Sequence, residues 1–107
     1  MKEYFDQLGV ILTNIPHYNS DKPEITILQN LLIEYRKILV HIAALNQQFE
    51  TETYSLRTNT PSIAILISTF SELQTKIGQK SRWDLVVKEI ETDINHLRSL
   101  LSPHIVD

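Results

Sequence analysis

Apolar residues recur along this chain at steps of three and four, the spacing of helices that bury one face. Tyr4, Leu8, Ile11, Leu12 and Ile15 follow it, with Phe5 widening the face and Pro16 closing the run, which predicts a first helix over about 2–14. The stretch from Pro16 to Pro23 is rich in turn formers and reads as a linker. Asp21 stands three residues before Glu24, a capping-box spacing, and Pro23 falls in a first turn where proline is tolerated.

The second periodic segment is the longest. Ile25, Leu28, Leu32, Tyr35, Leu39, Ile42 and Phe49 form a heptad-like seam, broadened by Ile27, Leu31, Ile38 and Leu45. It predicts a helix over about 23–50 that could fray anywhere in the polar, threonine-rich stretch 51–59. Asn46 falls on this seam where the pattern calls for a hydrophobe: either it is a buried amide that needs partners and can set register between chains, or the bundle thins here and it touches water.

Thr60 followed by Pro61 reads as an N-cap and a first helical position. A third helix is predicted over about 61–77, with Ile63, Leu66, Ile67, Phe70, Leu73 and Ile77 on one stripe and Gly78 just past its end. The run Ile63–Ile67 has strand propensity, and the continuation through Phe70, Leu73 and Ile77 decides for helix. Ser81 and Asp84 then open a fourth helix over about 82–101. Its stripe, Trp83, Val87, Ile90, Ile94, Leu97 and Leu101, is narrow, as for a helix packed on one side only. Ser102-Pro103 ends it.

The pattern therefore predicts an all-α fold, one domain over 1–107. It is a small bundle of about four helices built on the long second one, with helices three and four antiparallel against it and helix one closing one end. By surface scaling a chain of 12.4 kDa buries roughly two-thirds of its extended surface, enough for one core without staples.

Charge narrows the function classes. The net charge is −3, with acids and bases mixed and no Lys/Arg run, so the basic footprint needed for nucleic acid or an anionic membrane surface is missing. No cysteine occurs, which removes disulfides, thiolate nucleophiles and Cys-ligated zinc. The N-terminus lacks the pattern of a signal peptide, and the longest apolar run, Ile63–Ile67, is far short of the ~20 residues that span a bilayer. A cytoplasmic location is the expectation.

Candidate chemistry is sparse. Arg36 and His41 fit an Arg-x4-His spacing, and Arg98 and His104 fit Arg-x5-His. On a small helical bundle such a pair resembles the Arg-x4-6-His motif of HEPN-type ribonucleases. The resemblance covers these residues alone, and it implies an arginine holding the scissile phosphate and a histidine acting as general acid or base without metal. On one continuous helix five residues turn about 140°, which would set Arg36 and His41 on different faces. Glu89, Asp93 and His96 lie on one side of helix four, with Asp93 and His96 spaced like half of a di-metal bundle site. No second carboxylate-x-x-His pair accompanies them, and they are expected toward solvent as a local pair. No metal, cofactor or small-molecule ligand is predicted, and the two glycines, Gly9 and Gly78, cannot form a phosphate loop.

Ile33 and Val40 lie one heptad apart on the otherwise polar side of helix two, near Arg36, with Tyr18 of the linker as a neighbour. Either helix one or the linker covers them, or another chain does. Leu85 and Ile65 are also off their stripes. The expected function is a protein–protein interaction module, an adaptor, an inhibitor or immunity-type partner, or a self-associating bundle. Its interface would draw on Ile33, Val40, Arg36, Asn46 and Leu85. The alternative is the HEPN-like ribonuclease.

Overall fold

A computed structural model describes residues 1–19, 24–70 and 76–105, with side chains from 78 onward in the last segment. Four helices make up the fold: α1 (Lys2–Asn14), α2 (Ile25–Ala43), α3 (Gln47–Ser68) and α4 (Lys76–Leu101), followed by a 3-10 turn (Ser102–His104). No strand occurs among the described residues. The all-α bundle expected from the periodicity is the fold, and α1 has the expected bounds. The capping box at Asp21, Pro23 and the stripe residue Leu73 lie outside the described residues, as does the side chain of Ile77.

The expected long helix over 23–50 is two helices. Ala44 ends α2 with its N–H on the carbonyls of Val40 and Ile42, and Leu45 N–H tightens the turn onto Ile42 at 3.0 Å. Asn46 is extended (φ −162°, ψ 166°), and its side-chain oxygen accepts the Phe49 N–H at 3.0 Å, so it is the N-cap of α3. An amide that competes for nearby N–H groups favours a cap over a helix interior. Ile42 and Phe49 stand seven residues apart whether the helix is continuous or broken, so the apolar period passes through the turn unaltered.

The expected restart at Thr60-Pro61 is helix interior. Pro61 removes the N–H that would bond the Arg57 carbonyl, and the Thr60 hydroxyl donates to that carbonyl instead, at 2.9 Å. The threonine-rich stretch continues the seam: Phe49, Thr53, Leu56, Thr60, Ile63 and Ile67 are all buried. Thr53 donates its hydroxyl to Phe49 O at 2.7 Å, so a polar residue sits in the core with its hydrogen bond made. Gly78 and Ser81, expected as the end of one helix and the start of the next, both lie inside α4.

Contacts at both ends fix the topology. Phe49 near the start of α3 meets His104 beyond the end of α4 (4.9 Å between ring centroids), and Phe70 just past α3 stacks on Trp83 early in α4 (5.2 Å). Helices α3 and α4 are therefore antiparallel, as expected. Helix α1 lies lengthwise rather than closing one end. Tyr4 meets His41 late in α2, the Arg98 guanidinium sits 4.1 Å over the Phe5 ring, and the Pro16 carbonyl accepts the Trp83 indole N–H at 2.9 Å. The result is an up-down-up-down bundle around one cluster of buried residues from all four helices. Helix α4 has α1 on one flank and α3 on the other, which corrects the expectation of one-sided packing. Its narrow apolar stripe faces the core, and its flanks make polar and cation–π contacts.

Candidate functional site

Ile33 and Val40 are each 52% exposed on α2. The flank of α2 that meets α1 is marked by His41, about 100° round from Val40, so α1 leaves the pair uncovered. Tyr18 of the linker leaves it uncovered too: its ring stands edge-on to Trp83 (5.8 Å) and its hydroxyl donates to Gln79 Oε1 at 3.2 Å. Arg36 and Lys37 between them are exposed, and Lys37 reaches only Glu34 on its own helix, at 3.5 Å. Helix α2 thus presents two aliphatic side chains one heptad apart with two cations between them.

Leu85 is 68% exposed and lies elsewhere, in a groove of about 310 Å³ between α3 and α4 lined also by Leu66, Arg82, Val86 and Glu89. Ile65, next to Leu66, is 64% exposed. Asn46, the remaining interface candidate, caps α3 and is exposed.

The two Arg–His pairs do not converge. His41 rests on Tyr4 of α1, and Arg36 lies about 140° round the same helix. Arg98 faces α1, where a Cβ on Gly9 would come within 3.2 Å of its Nη2, and His104 faces Phe49 of α3.

A polar cluster links α2, α3 and α4, and of its members the sequence pattern singles out Glu89 and Asp93 as candidate chemistry but neither Asn59 nor Tyr35. Asn59 of α3 donates its amide to Glu89 Oε1 at 2.6 Å. One turn on, Asp93 has a buried Oδ2 without a hydrogen-bond partner, and the fully buried Tyr35 of α2 has an unpartnered hydroxyl. Burial, and then the Glu89 carboxylate, push the Asp93 carboxyl above its usual range against the opposing pull of the nearby Asn59 amide and the His96 charge. Burial, and then Asp93, hold the Tyr35 phenol well above its own. Glu89 and Asp93 were expected toward solvent, but they are half-buried on the α3 side, and only His96 is exposed. The signal for this was Asn59, a polar residue in what proves to be helix, but it needs the course of α3 to be read. No three His, Asp or Glu side chains among the described residues are grouped as a metal ion would require. Among the same residues no helix is long and apolar enough to cross a membrane. No family model, curated protein or solved structure matches the chain.

Proposed function

We propose that this chain is a helical protein–protein interaction module that works by presenting a face rather than by chemistry of its own, and that it acts in the cytoplasm. The observation that carries the reading is the outer face of α2, where Ile33 and Val40 stay half exposed with neither α1 nor Tyr18 over them. Single exposed aliphatics are ordinary; two in line on one helix, with Arg36 and Lys37 between them, offer an apolar contact flanked by cations. Burying what remains exposed would contribute about 1 kcal/mol per side chain, and the cations favour a partner surface carrying carboxylates. The absence of cysteine suits a reducing compartment.

The test compares the wild type with the Ile33→Glu/Val40→Lys double variant as baits in the native host. Both substitutions lie on the exposed face, so the melting temperature should hold. A protein retained by the wild type and lost from the variant supports the reading. Retention of the same proteins by both baits, with melting curves that superimpose, removes it.

A further inference from the structure

The groove between α3 and α4 carries a second surface whose charges are arranged differently from those of α2. Leu85 lines it, with Arg82 three residues before it and Glu89 four residues after it, and Leu66 lines it from α3. Among the described residues Arg82 makes no ion pair, and the single ion pair is Lys37–Glu34. We propose that this face joins two copies of the chain, their α4 helices antiparallel across a two-fold axis level with Leu85 and Val86.

Charge complementarity identifies the occupant. Two antiparallel copies related by an axis midway between positions 85 and 86 bring residue 82 of each opposite residue 89 of the other. Arg82 and Glu89 each lie about 5 Å along the helix from that axis, so the operation forms two Arg–Glu contacts around a Leu85–Leu85 centre. A two-fold contact must be self-complementary, and this one is. The same operation on α2, with the axis midway between Ile33 and Val40, sets Arg36 and Lys37 of one copy against Lys37 and Arg36 of the other. Centred between its two aliphatic side chains, the α2 face sets like charges together, whereas the α3–α4 face sets opposite charges together.

The test is sedimentation velocity over about a hundredfold range of concentration, where mass action must show a real dimer. The wild type should move from 12.4 kDa toward twice that mass. Leu85→Glu, on an exposed position, should stay monomeric throughout. Arg82→Glu alone and Glu89→Arg alone each set like charges against each other at both contacts, and should weaken association about tenfold or more. Mixed in equal amounts, these two variants make both contacts complementary, and the mixed dimer should form although neither variant pairs with itself. Glu89→Arg also loses the Asn59 hydrogen bond, but a chain that had failed to fold could not rescue its partner. A wild type that is monomeric at every concentration overturns the proposal. So does a dimer that survives Leu85→Glu, or a mixture that associates no better than its components. The Ile33→Glu/Val40→Lys variant should dimerise like the wild type, so failure here leaves the α2 reading standing.

Discussion

At the scale of single residues, the cluster around Asp93 is held against its own electrostatics. Its carboxyl is desolvated, Glu89 repels it, and no cationic side chain is paired with it among the described residues. A folded-state pKa raised above the unfolded value means that the folded chain binds the proton more tightly. Stability therefore falls as pH rises from the ordinary carboxylate range through the raised value, and stays at the lower level above it. Asp93→Asn should raise the melting temperature near neutral pH, and the gain should shrink as the pH is lowered toward 4, the ordinary carboxylate range. Thermal scans of both proteins across that range check it; a gain that is constant with pH, or absent, assigns the effect to something other than the charge. Tyr35→Phe is the companion test. The hydroxyl is buried without a partner, so its removal should be neutral or stabilising by up to about 1 kcal/mol in denaturant unfolding. A loss above about 1 kcal/mol would show that the hydroxyl makes a hydrogen bond worth keeping.

At the scale of elements, α1 was legible because Pro16 punctuates it where its apolar stripe stops. The α2–α3 turn was not, because Ile42 and Phe49 keep the heptad spacing across it and only the cap distinguishes Asn46 from a seam residue. The seam of α3 was hidden for a different reason. Thr53 and Thr60 hold core positions, and their hydroxyls are satisfied by the backbone of their own helix, a pairing that residue type alone does not announce. Ile33, Val40 and Leu85 could be read as exposed because each departs from its helix's stripe. Glu89 and Asp93 could not be placed, because whether a flank of α4 meets water or α3 depends on the topology. Two substitutions test these roles by urea unfolding. Asn46→Ala removes the cap and should cost about 1 kcal/mol, while Asn46→Asp should keep most of it. Thr60→Val keeps the shape but strands the Arg57 carbonyl beside Pro61, at a cost of about 1–3 kcal/mol. An Asn46→Ala variant as stable as the wild type would mean that the turn holds without its cap.

At the scale of the whole molecule, the chain carries two apolar surfaces of opposite design, and heat separates them. Unfolding a dimer yields two chains, so its midpoint depends on concentration, whereas that of a monomer does not. Each tenfold increase in concentration stabilises a dimer by about 1.4 kcal/mol, or about 0.7 kcal/mol per chain. With an unfolding entropy near 0.2 kcal/mol per kelvin for about a hundred residues, that is a rise of about 3 °C in melting temperature. The wild type should show this slope, and Ile33→Glu/Val40→Lys should keep it, because the proposed dimer joins through the α3–α4 groove. Leu85→Glu should flatten it and melt near the wild-type value extrapolated to high dilution. If the α2 variant flattens the slope instead, the roles of the two faces are reversed, and the like charges of Arg36 and Lys37 would have to be met by acidic groups on another part of the second copy. A flat slope for all three proteins leaves the α3–α4 groove without a second copy of the chain.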